Sequence, residues 1–216
     1  FKYMCGIFAV IGSREVSSLL IDGLRKLEYR GYDSAGIATI DNLNKDQNGQ
    51  LNVTKSKGKL INLSNLIKDK PPKGHVGIAH TRWATHGKPN EINAHPHLDS
   101  SGQIAVVQNG IIENYRELSK RLKHKGIKLT SETDTEIIPH LIGLEIEHSL
   151  ANGLSPNEQT LLIAVQKVLT LLEGTYSIAV IWSKAPNALV VARGQAPLIL
   201  GFGEGELFCA SDTPAL

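Results

Sequence analysis

Residues 176–210 read YSIAVIWSKAPNALVVARGQAPLILGFGEGELFCA, and this stretch decides the fold class. It holds four strand-like runs, Tyr176–Trp182, Ala188–Arg193, Leu198–Phe202 and Glu206–Ala210, with only short connections between them. Strands this closely spaced favour antiparallel hairpins, because a parallel pair needs a long crossover, usually a helix. Working back from this stretch, the apolar spacing predicts helices over Asn157–Leu172 and Thr133–Glu147, a strand over Ile127–Thr130, an amphipathic helix over Ile112–His124 and a strand over Ile104–Gln108. A long polar loop, Thr81–Asp99, follows a buried strand, Val76–His80, and a loop of that length usually carries function or disorder. Further back lie a short helix around Leu60–Ile67 and a hairpin of Ala35–Ile40 with Leu51–Lys55. The Asp41–Gln50 connection of that hairpin reads as mobile and dispensable. The chain opens with an apolar strand, Cys5–Ile11, and a helix whose apolar positions are Val16, Leu19, Leu20, Leu24 and Leu27, with Ser13 as its cap and Gly31 past its end.

The 216 residues are 41% hydrophobic and 20% charged, enough for one sizeable core and too few to require two domains. The net charge of +2 is spread without a long basic run, which argues against a nucleic-acid partner. No apolar stretch approaches the roughly 20 residues of a membrane span, and residues 1–4 lack a signal-peptide pattern, so the expected location is the cytoplasm. The two cysteines, Cys5 and Cys209, form neither a disulfide framework nor a CxxC pair. Cys209 reads as structural, late in a strand-like run without a charged neighbour to lower its pKa. Met4, the only methionine, reads as the initiator, with Phe1, Lys2 and Tyr3 as extraneous residues before it.

Five stretches could carry chemistry. Cys5 would become residue one once Met4 is removed, and a terminal cysteine carries its own base: its α-amino group has a pKa of roughly 7.7–8.0 and can take the thiol proton. The alternative is a small buried residue opening a strand. Arg30-Gly31-Tyr32-Asp33-Ser34-Ala35-Gly36 reads first as helix-to-strand punctuation. Ala79-His80-Thr81-Arg82-Trp83-Ala84-Thr85-His86-Gly87 ends a strand with a mixture suited to ligands: Arg82 could clamp a carboxylate with its planar fork and Trp83 could lie over a bound ligand. His86, His95 and His97 could be metal ligands, but the spacing matches no common zinc signature, and polar loop histidines are the plainer reading. Gln108-Asn109-Gly110 is first a turn signal, yet an Asn amide and an exposed Gly N–H are also the donors of an oxyanion hole. In Ser131-Glu132-Thr133-Asp134-Thr135-Glu136, Thr133 and Glu136 form a capping-box pattern that puts Asp134 in a first helical turn, there to complement the dipole or to bind an ammonium group.

Taken in order, Met-Cys-Gly-Ile, Leu-Glu-Tyr-Arg-Gly-Tyr-Asp-Ser-Ala-Gly, His-Thr-Arg-Trp-Ala-Thr-His-Gly, Asn-Ala-His-Pro-His, Asn-Gly-Ile-Ile-Glu-Asn and Ser-Glu-Thr-Asp-Thr-Glu resemble the glutaminase domain of the glutamine–fructose-6-phosphate aminotransferase (isomerizing), or glucosamine-6-phosphate synthase, family. The resemblance covers almost all of the chain from Cys5 onward. Within class II glutamine amidotransferases, Tyr32-Asp33-Ser34 separates it from amidophosphoribosyltransferases and asparagine synthetases, which stay as alternatives.

The resemblance implies an α+β fold of the N-terminal-nucleophile (Ntn) hydrolase type, a four-layer αββα sandwich with two mainly antiparallel sheets. It implies that Cys5 is nucleophile and base, that Asn109 and Gly110 form the oxyanion hole, and that Arg82, Thr85, His86 and Asp134 hold the α-carboxylate and α-ammonium of L-glutamine. Trp83 would belong to a gating loop and Arg30 would help to position the catalytic terminus. No cofactor or metal is implied. The partners implied are C-terminal sugar-isomerase domains that take fructose 6-phosphate, in a homo-oligomeric full-length enzyme. Ala210-Ser-Asp-Thr-Pro-Ala-Leu216 stands, in that family, before the last strands of the same domain, so the expectation is a C-terminally truncated fragment. A chain retaining residues 1–4 is expected to be inactive, because an amide nitrogen cannot serve as the base. Two rival classes remain: a catalytically dead glutamine-binding module and a histidine-based metal hydrolase.

Overall fold

The computed structural model describes residues 5–42, 49–84 and 87–216; the body of the Asp41–Gln50 connection, residues 43–48, lies outside them. Among the described residues ten strands and five α-helices follow in chain order as β1 (Gly6–Gly12), α1 (Ser17–Lys26), β2 (Ser34–Asp41), β3 (Gln50–Lys57), α2 (Leu60–Lys68), β4 (Val76–Arg82), β5 (His97–Leu98), β6 (Ile104–Ile112), α3 (Tyr115–His124), α4 (Ile137–Ala151), α5 (Glu158–Leu169), β7 (Gly174–Trp182), β8 (Val190–Gly194), β9 (Ile199–Gly203) and β10 (Glu206–Ala210). They form a six-stranded sheet in the order β3-β2-β4-β1-β10-β9 and a four-stranded sheet in the order β5-β6-β7-β8. Every strand pairing in both sheets is antiparallel.

The central strands are buried on both faces, and their period-2 alternation sorts side chains into layers. On β1, Phe8 and Val10 face α1 and α2 with Leu20, Leu24 and Leu63, whereas Ile7 and Ala9 face the other sheet. On β6 and β7, Ile104, Val106, Ile178, Val180 and Trp182 face α3, α4 and α5, while Ala105, Val107, Ala179 and Ile181 meet Ile7, Ala38 and Ile78 across the gap. The result is a helix–sheet–sheet–helix stack, the α+β sandwich that the family resemblance implies. Alanines at four of the inter-sheet positions keep that layer thin, and long residues fill the layers under the helices, where more volume is available.

Several local expectations give way to tertiary contacts. Ile127–Thr130 is not a strand: Thr130 N–H donates to Glu136 Oε1 at 2.7 Å, and Ile127 and Leu129 pack against the helical core. The capping box does not form either, because the Glu136 carboxylate turns back to accept from Thr130 and Ser131, and α4 begins only at Ile137. Asp134 therefore stands ahead of the helix. Ser13 does not cap α1, whose N-cap Val16 makes no side-chain bond; Asn157 does cap α5, accepting from Thr160 N–H at 3.0 Å. Asn109-Gly110 is not a turn but part of β6, which runs on through Ile112 against β7.

Candidate active site

Antiparallel pairing of β1 with β4 sets Gly6 opposite Thr81, so Cys5, one residue earlier, emerges beside Arg82 and Trp83. Cys5 is half-buried; its Sγ accepts from Trp83 N–H at 3.2 Å and faces Trp83 O at 3.6 Å. Its carbonyl accepts from Asn109 Nδ2 at 3.1 Å, although the two residues lie 104 apart in the chain. Gly110 follows in β6 with φ of 107°, and a Cβ there would stand 1.9 Å from Thr175 O, so only glycine fits. Burial pushes the Cys5 thiol up, against the opposing pull of the Trp83 N–H and the Arg82 charge. A thiol so disposed is largely protonated at neutral pH and needs a base to become a nucleophile.

The terminus of β1 is tied down on both edges. Gly6 N–H donates to Thr81 Oγ1 at 3.1 Å and Ile7 N–H to Ser211 Oγ at 3.0 Å. Arg30, 4% exposed, reaches Ser211 O at 3.2 Å and lies 3.6 Å from Asp212. It thus touches the strand through Ser211 and not Cys5 itself. Asp33 holds the other side: its Oδ2 accepts from Ala84 N–H at 2.5 Å, its N–H donates to Arg82 O at 2.7 Å, and its Oδ1 is 3.8 Å from the Arg82 guanidinium. The Arg30–Gly36 segment is therefore a clamp on residues 82–84 as well as a helix-to-strand link. Gly36 is required there, since a Cβ would meet His95 O at 2.1 Å.

Asp134 is buried and its Oδ2 accepts from Ile112 N–H at 2.7 Å, which joins it to the end of β6 two residues beyond Gly110. Trp83 is 37% exposed at the rim. The structure thus gathers Cys5, Arg82, Trp83, Asn109, Gly110 and, through Ile112, Asp134 around the ends of β1, β4 and β6. Arg30 stands behind them. Thr85 and His86 lie outside the described residues.

His80, His95 and His97 are not surface groups: all are below 5% exposed and they lie in a row, His80 stacked on His95 at 4.0 Å between ring centroids and His95 meeting His97 edge to face at 4.8 Å. Burial, the main cause, lowers His80 and His97 to about 3 and His95 well below its ordinary value, so all three are neutral at pH 7. Each bonds within the protein: His97 Nε2 to Thr133 Oγ1 at 3.0 Å, His95 Nδ1 from Gln108 N–H at 3.3 Å, and His80 Nε2 to Gln108 O and Asn109 Oδ1, both at 3.0 Å. Among the described residues no group of three or more His, Cys, Asp or Glu side chains is arranged to hold a metal ion. Asp33, His80 and Ser211 are the contacts that sequence reading left without a role. One signal was present for His80: it falls two residues after Ile78 on the inward face of a buried strand, where an apolar side chain is the rule.

Two antiparallel sheets stacked between helical layers, with a cysteine at the mouth of the first strand, define the Ntn-hydrolase class of amidotransferases. The solved B. subtilis glutamine phosphoribosylpyrophosphate (PRPP) amidotransferase, complexed with ADP and GMP, shares this fold with a TM-score of 0.78 and 26% identity over 98% of this chain and 42% of that one. A family profile described as glutamine amidotransferase domain matches residues 80–216, and the chain belongs to that family. Glutamine–fructose-6-phosphate aminotransferase [isomerizing] of Thermosynechococcus vestitus is 55% identical over 214 residues, and that of Clostridium acetobutylicum is 47% identical over 213. Each match takes in 99% of this chain and 32% of the relative, so the chain spans about a third of the length of the curated relatives it matches.

Proposed function

We propose that this chain hydrolyses L-glutamine to glutamate and ammonia through a thioester on Cys5, once Cys5 is the first residue. The observation that carries the reading is the approach of Asn109 Nδ2 to Cys5, 3.1 Å from its carbonyl oxygen, next to a glycine that tolerates no side chain. In this reading the α-amino group of Cys5 accepts the thiol proton as Sγ attacks the side-chain amide carbon. The oxyanion that forms is held by Asn109 Nδ2 and Gly110 N–H, which act where charge develops. The proton passes to the leaving nitrogen, the C–N bond breaks and ammonia departs. Water then attacks the thioester, giving its proton to the same amine, and glutamate leaves with the thiol restored.

Arg82, Thr85, His86 and Asp134 would bind the α-carboxylate and α-ammonium groups. Trp83 would cover the site and Arg30 would hold the terminus through Ser211. In the longer protein, ammonia would pass to C-terminal sugar-isomerase domains for conversion of fructose 6-phosphate to glucosamine 6-phosphate, in a cytoplasmic homo-oligomer. The named activity of relatives at 47–55% identity supports this extension. Among the described residues no helix is long and apolar enough to cross a membrane.

The deciding experiment measures glutamate and ammonia release by a chain beginning at Cys5, beside the form retaining Phe1 and a Cys5→Ala control. Release by the Cys5-first chain alone supports the terminal-nucleophile mechanism. Turnover by a sample verified to keep Phe1 would overturn it. Glutamine-dependent thermal stabilisation without ammonia would favour a binding module, and loss of activity to a chelator but not to Cys5→Ala would favour a metal hydrolase.

A further inference from the structure

We propose that His80 is a positioning residue for glutamine hydrolysis, setting the direction of the Asn109 carboxamide and with it one arm of the oxyanion hole; the inference rests on the glutaminase reading above. His80 Nε2 lies 3.0 Å from Asn109 Oδ1 and 3.0 Å from Gln108 O. Both are acceptors, so Nε2 must carry the proton and share it between them. The other ring nitrogen agrees, since Nδ1 is buried and has no hydrogen-bond partner among the described residues. A proton there would be an orphaned donor, and the Nε2 lone pair would then face two oxygens. The ring cannot turn away, because His80 is fully buried and stacked on His95 with 19° between the planes.

This fixes the Asn109 amide at both ends. Oδ1 is held by the His80 N–H and Nδ2 points at Cys5, where it donates to the carbonyl at 3.1 Å. Rotated by half a turn, the amide would set Oδ1 against the Cys5 carbonyl and turn a lone pair, not a proton, toward the developing oxyanion. His80 stays neutral through the working pH range, so it acts through its tautomer and not through charge. Its Nε2 hydrogen bonds run to Asn109 and Gln108, and its effect on the reaction should run through Asn109.

The experiment uses the full-length protein processed to begin at Cys5, with His80→Gln, His80→Asn and Asn109→Ala alone and in combination. A Gln amide nitrogen can reach the Nε2 position, whereas an Asn amide reaches only that of Nδ1. The expected result is a kcat within about tenfold of the parent for His80→Gln. His80→Asn should fall ~10²-fold, in the range seen when an oxyanion donor is lost, with KM for glutamine and the rate of Cys5 alkylation by iodoacetamide each changed less than about threefold. In the Asn109→Ala background, His80→Asn should cost less than about threefold more, because the interaction it acts through is already gone. Equal and additive losses in both backgrounds, or a slower alkylation and a raised KM accompanying the fall in kcat, would overturn the positioning role in an enzyme that still hydrolyses glutamine. A parent silent toward glutamine would instead overturn the proposed function, and this role with it. Melting temperatures of all variants separate unfolding from either outcome.

Discussion

The gap between the two sheets is lined by different material in its middle and at the end where β1 begins. In its middle, Ile7, Ala9, Ala38, Ile78, Ala105, Val107, Ala179 and Ile181 form a dry apolar layer. At the end where β1 begins and β6 passes, the same alternation brings inward His80, Asn109 and Ser177, all buried, with the buried His95 ring stacked on His80. The first region stabilises by burial and dispersion, with no directional requirement. The second must satisfy each polar atom, and among the described residues His80 Nδ1 and Ser177 Oγ there find no partner. Unpaired buried groups lower stability, a cost that the apolar middle does not carry.

The comparison is broken most completely at Cys5. Cys5→Ala should remove glutamine hydrolysis below detection while leaving the melting temperature close to the parent, read by ammonia release and a thermal melt. Asn109→Ala should lower kcat ~10²–10³-fold, the usual loss for one oxyanion donor, with a smaller effect on KM. In the apolar middle, Ile78→Ala should do the opposite, costing about 2–5 kcal/mol of stability in denaturant unfolding while the turnover of the molecules that remain folded is retained.

Acid should act on the polar end. The folded-state values of His80 and His97, about 3, lie below the unfolded 6.5, so below pH 6.5 the unfolded chain binds the protons that the native state refuses. Stability from these residues is complete above pH 6.5 and falls as pH drops toward 3. Burial works to raise the Glu136 carboxyl, but the bonds it accepts from Thr130 and Ser131, with the His140 ring 3.8 Å away, outweigh burial and hold it low, so it adds stability that is lost below its ordinary range, in the same direction. The melting temperature should therefore be flat above about pH 7 and decline steadily from pH 6.5 to pH 4, with a shallower decline in His97→Gln. The smallest effect belongs outside both regions: breaking the exposed Glu117–Arg121 pair at 2.6 Å on α3 should change stability by less than about 0.5 kcal/mol in an unfolding titration.

Much of the fold was legible because its strands and most of its helices have strong periods. Glu206–Ala210 was placed to the residue, and Leu60–Ile67 to within one. The failures have different causes. At Thr133–Glu136 a good local cap lost to a competing local arrangement, in which Glu136 accepts from Thr130 and Ser131 while Thr133 Oγ1 bonds to the distant His97, and at Asn109-Gly110 a good local turn lost to pairing with β7. Ile127–Thr130 alternates like a strand because it has one face to bury, but helices supply the burial.

What the sequence determined by itself is the order of elements, the antiparallel bias of its last strands and the residues fit for chemistry, since all three depend on neighbours a few positions apart. Only the tertiary structure decided that β7 and β8 join one sheet while β9 and β10 cross to the other, where β10 pairs with β1 at the opposite end of the chain. It also decided that Asn109 meets Cys5 and that His80 sets which way its amide points. Periodicity states which face of an element must be buried. Which partner buries it, and which polar atoms then come within 3 Å of each other, follows from closing the whole core at once.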